Sequence, residues 1–124
     1  MVGVKFILFI LFIILNIIHA KHDANRIKAG KYINHGLNAL LYILLLFPIY
    51  VQTNWVYVFG LLCLRRVVFD TALNLFRGLR FDYISSSTTS VIDRLSYKFQ
   101  AKYGYIPYYG ILIIVSILSI FYNG

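Results

Sequence analysis

The feature that most limits this chain is a set of apolar runs too long for the interior of a protein its size. Residues 6–18 read FILFILFIILNII, broken only by Asn16. Residues 33–64 are mostly apolar, with Asn34, His35 and Asn38 near the start and the uncharged triplet Gln52-Thr53-Asn54 within. A third run, 110–122, has only Ser116 and Ser119 as polar breaks. Of the 124 residues, 60% are hydrophobic and 13% charged, and the mean hydropathy is +0.77. An average soluble domain carries about 25% charged residues, and a small one has too little interior to hide this much apolar surface. An ordinary soluble domain and a disordered tail are excluded. So is a disulfide-knit module, because Cys63 is the single cysteine. What remains is an all-α integral membrane protein with three or four transmembrane helices.

The runs divide the chain into four parts. Residues 1–18 are an N-terminal hydrophobic segment with two competing readings. Lys5, the apolar middle and Ile18-His19-Ala20 resemble a signal peptide, although Ile18 stands where a small residue is expected. The alternative is an uncleaved signal anchor. Thirteen residues rise only about 20 Å, against about 30 Å of hydrocarbon, and counting from Val2 brings the segment to the lower limit of a span. Residues 33–80 form a transmembrane helical hairpin with arms 33–51 and 55–77. Asn54 or Thr53 caps the second arm, Trp55 and Tyr57 sit at a membrane surface, Pro48 kinks the first arm and Gly78 ends the second. Beyond Arg65 the second arm leaves the hydrocarbon as an amphipathic extension.

Residues 81–107 hold a polar loop, with Ser85 to Ser90 all serine or threonine, and a short helix over 91–103. Ser90-x-x-Asp93 resembles a capping box. Val91, Ile92, Leu95 and Phe99 share one face and Arg94, Lys98 and Lys102 another, which describes an amphipathic interfacial helix. Gly104 and Pro107 close it, and Tyr105, Tyr108 and Tyr109 mark an interface. Residues 108–122 are the C-terminal transmembrane helix.

The chain has 12 Lys and Arg, four Asp and no Glu. Net +8 can mean nucleic acid, but it is accounted for by short cytoplasmic loops rich in Lys and Arg. The hairpin puts 19–32 and 65–107 on one side, and these hold all the basic residues except Lys5. The positive-inside rule places both in the cytoplasm, with four spans and both termini outside. Signal cleavage predicts three spans and the reverse orientation. The lipid bilayer is the primary partner, a second copy or another membrane protein a further one, and nucleic acid none. The expected location is a multi-pass position in a bacterial inner membrane.

Two polar faces carry the candidate chemistry. His35, Asn38 and Tyr42 share one face of the first arm, and Arg66, Asp70, Asn74 and Arg77 one face of the second. Folding the hairpin about Thr53 sets His35 opposite Thr71, beside Asp70. The expected polar intramembrane cluster is therefore His35, Asn38, Arg66, Asp70, Asn74 and Arg77. Ionisable residues at membrane depth mark function or pairing. A His–Asp pair can relay protons, but the sequence has no nucleophile motif, HExxH or glycine-rich phosphate loop, and no metal-ligand set. No cofactor, metal or catalytic residue is indicated. The structural reading is that Asp70 neutralises Arg66 while His35, Asn38 and Asn74 hydrogen-bond across the hairpin. Cys63 reads as a small buried hydrophobe.

The stretches IKAGKYINHGLNALLY (27–42) and RRVVFDTALNLFRGLRFDY (65–83) resemble uncharacterised small multi-pass membrane proteins of Bacteroidetes bacteria and their phages. The resemblance implies a source and no chemistry. The expected function is a non-enzymatic membrane component that acts through helix–helix association. The alternatives are a phage holin-like pore former and an intramembrane enzyme or transporter element using His35 and Asp70.

Overall fold

In the computed structural model, residues 2–31, 33–83 and 91–123 are described. They form five α-helices and no strand: α1 (Val2–Lys28), α2 (His35–Gln52), α3 (Trp55–Phe76), α4 (Val91–Tyr103) and α5 (Tyr105–Phe121). The polar run 85–90, including the Ser90 of the expected capping box, lies outside the described residues.

Helix α1 continues ten residues past the apolar run that signals it. The reason lies in its buried stripe: Lys5, Phe12, Asn16, Ala20, Asp23 and Ala24 face inward, at spacings that keep one side of a helix. His19 and Asp23 belong to this inner surface, so the polar stretch after Ile18 is packed helix. The helix ends at Gly30 (φ 71), where Lys31 N donates to Arg26 O at 2.9 Å. Helix α3 ends the same way: Gly78 (φ 74) lets Leu79 N donate to Asn74 O at 2.8 Å. In both, a left-handed glycine closes the last turn and satisfies a free carbonyl.

The α2–α3 turn is two residues long. Thr53 Oγ1 donates to Ile49 O at 2.5 Å, and the Asn54 side chain accepts from Tyr57 N at 2.9 Å. Asn34 caps α2, accepting from Leu37 N at 2.9 Å. Pro48 lies within α2. Pro107, expected to close α4, instead sits in the first turn of α5, where a missing N–H costs nothing. Gly104 (φ 86) alone separates the two helices.

Helix α3 is the central element, between α1 and α5. It runs parallel to α1, since Tyr57 OH donates to Lys5 O at 2.6 Å near one end and Lys21 Nζ lies over the Phe76 ring near the other. It runs antiparallel to α5, since Asn54 Nδ2 donates to Tyr122 O and Arg66 Nε to the Tyr108 hydroxyl. The α3–α5 approach is close. A side-chain carbon on Gly60 would collide with Ser119 Oγ and Cβ and would lie 3.4 Å from Ser116 Cα. Small residues admit neighbouring backbones in this manner in membrane helix pairs. At this end Lys5 Nζ also donates to Tyr122 O at 2.8 Å, so both chain ends meet. The basic residues other than Lys5 lie further along the bundle, toward its opposite end.

Phe12, Leu46, Tyr57, Leu61, Leu64 and Ile120 form the core, but buried polar groups share the interior and large apolar side chains cover the outside. Lys5 is 1% exposed and Asn16 0%, with Ser116 and Ser119 also buried, while Ile18 and Ile43 are each 62% exposed. Helices α1 and α2 are each long and apolar enough to cross a membrane, and α5 is a shorter apolar helix.

Candidate functional site

Two polar assemblies occupy the half of the bundle away from the termini. The first joins α1, α2 and α3. Asn16, His19 and Asp23 project from α1 at i, i+3 and i+7, one helical face. Tyr42 of α2 donates from its hydroxyl to Asn16 Oδ1 at 3.0 Å, and His19 Nδ1 lies 2.9 Å from the same hydroxyl oxygen. The other ring nitrogen, Nε2, lies 3.4 Å from Asp23 Oδ2, so the ring sits between Tyr42 and Asp23. Asn16 is held in turn, its amide donating to Phe12 O at 2.8 Å. Arg65 of α3 completes the group, its guanidinium 4.4 Å from the centroids of both the Tyr42 and Phe69 rings. Such stacking suits a flat, weakly hydrated cation.

The second assembly joins α3, α4 and α5 around Arg66. Its Nε is 3.0 Å from Asp70 Oδ2 and 3.0 Å from the Tyr108 hydroxyl, and its Nη1 is 2.5 Å from Asp93 Oδ1. Tyr108 OH donates onward to Ser96 Oγ at 3.0 Å. One arginine thus links α3 to α4 through Asp93 and to α5 through Tyr108, with Asp70 of its own helix as a second carboxylate, a charge-assisted set stronger than neutral hydrogen bonds. Below the anchor, α4 leaves Val91, Ile92 and Leu95 exposed together with Arg94, Lys98 and Lys102.

The six residues expected to cluster are distributed over three places. His35, Asn38 and Arg77 line a groove between α1, α2 and α3. Arg66 and Asp70 belong to the α4–α5 network. Asn74 is buried and donates through its amide to Phe81 O at 3.0 Å and Tyr83 O at 2.9 Å, tying the chain after α3 back onto the helix. His35 and Asp70 therefore do not form the expected pair. The register about Thr53 was a matter of height and gave no rotation. The line Val58, Leu62, Arg65, Phe69, Leu73 and Arg77 faces the groove, and Arg66 and Asp70 are turned about 100° per residue away from it. Asp70 does neutralise Arg66, as the i, i+4 spacing predicts.

Sequence reasoning missed the histidine the structure does pair with an aspartate. The signal was present: Asn16, His19 and Asp23 fall on one helical face once α1 is drawn through residue 19. Tyr42, the hydroxyl that touches His19, is committed to Asn16. No group of three or more His, Cys, Asp or Glu able to hold a metal occurs among the described residues. Cys63 is buried and unpaired as a thiol. No family model, curated protein or solved structure matches this chain.

Proposed function

We propose that the chain is a four-span membrane protein, with α1, α2, α3 and α5 crossing the bilayer and α4 lying at the cytoplasmic interface. Both termini face outward and the basic end faces the cytoplasm of a bacterial inner membrane. Its role is that of a non-enzymatic membrane component whose apolar outer surface associates with a second copy or a partner membrane protein. Grouping it with small membrane proteins of Bacteroidetes and their phages belongs to the same proposal. The observation that carries the reading is the apolar outer surface: isoleucines and leucines line the outside of α1, α2 and α5, while Lys5, Asn16, Ser116 and Ser119 are sequestered. Water disfavours that arrangement and hydrocarbon favours it. The joined termini and the gathering of basic residues away from them support four spans with one side positive. The unbroken course of α1 through the fully buried Ala20 supports retention of the first helix.

The test is extraction and labelling. The full chain should stay with membranes through alkaline carbonate and leave them in detergent. In a Cys63→Ala background, cysteines placed at 28 and 98 should resist an impermeant reagent in intact cells, while those at 3 and 123 react. Release by carbonate would refute the membrane reading, and labelling at 28 and 98 from outside would reverse the orientation.

A further inference from the structure

The groove between α1, α2 and α3 has a volume of about 1070 Å³, at the upper end of ordinary ligand sites. It opens above the α2–α3 turn and changes character along its length. Near the turn its walls are Ile43, Leu46, Phe47, Val58 and Leu62; toward the basic end they are Lys31, His35, Asn38, Arg65 and Arg77, with Asp23. The Asp23 carboxylate already faces His19 and His22, at 3.4 and 3.5 Å. Three cations therefore share the polar half with one engaged acid. Arg65 adds a second observation. Its guanidinium is packed against the Tyr42 and Phe69 rings while the residue lines the groove, so its charge is fixed at the groove wall.

We propose that the groove holds one anionic phospholipid of the surrounding bilayer. Its phosphate sits between Arg65 and the Lys31–Arg77 mouth, and an acyl chain lies along Leu46, Val58 and Leu62. The assignment rests on the four-span reading and deepens it. Charge complementarity selects the head, because Lys31, Arg65 and Arg77 line the polar half and arginine favours phosphate in charge-assisted geometry. Polarity selects the orientation. The groove is cationic at the basic end and apolar toward the middle of the bundle, the same gradient as the leaflet on that side. Dimensions agree: about 10 Å separates Arg65 from Val58 along α3 and about 28 Å separates Arg77 from Val58, bracketing the roughly 15 Å of hydrocarbon in one leaflet.

The experiment is native mass spectrometry of the full chain in mild detergent, titrated with phosphatidylglycerol or phosphatidylcholine bearing identical chains. A protein that proves soluble without detergent fails the membrane reading before any lipid is added. The expected result is a preference for phosphatidylglycerol of about tenfold, the scale of one charge-assisted hydrogen bond. Arg65→Gln should abolish the preference, while Arg94→Gln and Lys98→Gln on α4 leave it unchanged. Leu62→Trp, at an exposed wall position, fills the apolar half without altering charge; it should reduce retention of both lipids, and it decides the matter should Arg65→Gln misfold. Equal retention of the two lipids by the unaltered chain overturns the proposal. So does a preference that depends on Arg94 or Lys98 and not on Arg65, retention unaffected by Leu62→Trp, or a dimer that keeps lipid out. Binding of inorganic phosphate alone with the same dependence on Arg65 would make the ligand a free anion and overturn the lipid assignment.

Discussion

Replacing Gly60 by alanine tests the central packing of the bundle with a single methyl group. The added carbon lands on Ser119 Oγ and Cβ, with Ser116 Cα 3.4 Å away. Ser119 cannot simply swing aside, because it is 2% exposed and its hydroxyl donates to Ser116 O at 2.6 Å. Helices α3 and α5 must therefore part. Overpacking of this kind costs about 1–3 kcal/mol, and alanine returns up to about 1 kcal/mol of helix propensity. The net loss should be about 1–2 kcal/mol. Ser119→Gly alone loses one hydroxyl bonded within its own helix and about 0.5 kcal/mol of helix propensity, and combined with Gly60→Ala it vacates the colliding atoms. The double variant should recover most of the loss, a coupling of about 1–2 kcal/mol between sites in contact. Helicity followed by circular dichroism through a denaturing-detergent titration measures all four proteins. Gly60→Ala as stable as the parent, or a double variant no better than the single, would refute the close approach.

Tyr57→Phe should cost about 0.5–1.5 kcal/mol in the same titration, the net worth of one hydrogen bond, because it removes the 2.6 Å bond between α3 and the Lys5 carbonyl, which keeps its partner within α1. Asp93→Ala should release α4 from Arg66 while leaving the bundle folded, since Arg66 keeps Asp70 and Tyr108. Faster amide exchange confined to residues 91–103 would show it, whereas faster exchange throughout α3 and α5 would contradict it.

The all-helical class was readable because apolar runs of this length have few other outcomes in 124 residues. The ends of α3 were readable too: Asn54 and Gly78 are capping residues by their own chemistry, and they cap. The extent of α1 was not. Local polarity after Ile18 looks like a loop, and only packing against Tyr42 and Arg65 makes Asn16, His19 and Asp23 an inner face. The site was misread for a related reason. Chain distance from Thr53 fixes how high a residue sits on the hairpin but not which neighbour it turns toward. Rotation was set by α1 and α5, the helices that enclose α3 on both sides, and the link between Arg66 and Asp93 joins helices for which the sequence offers no register. The exposed row Arg94, Lys98 and Lys102 needed no such information, because i, i+4 spacing on a short helix is self-contained.

The bond between Lys5 and the Tyr122 carbonyl imposes an order of events. Its two members are 117 residues apart in the chain. A lysine ammonium in the first helix cannot find this acceptor until α5 has been synthesised and folded back beside α3. Until then it must stay in contact with water or a helper protein, as must Asn16 before Tyr42 arrives. The first helix can therefore not settle on its own and then wait as a finished anchor. Its inward face is completed in stages, by α2, then α3, then the far end of α5, and the closing of Lys5 on Tyr122 reports that the last stage is complete.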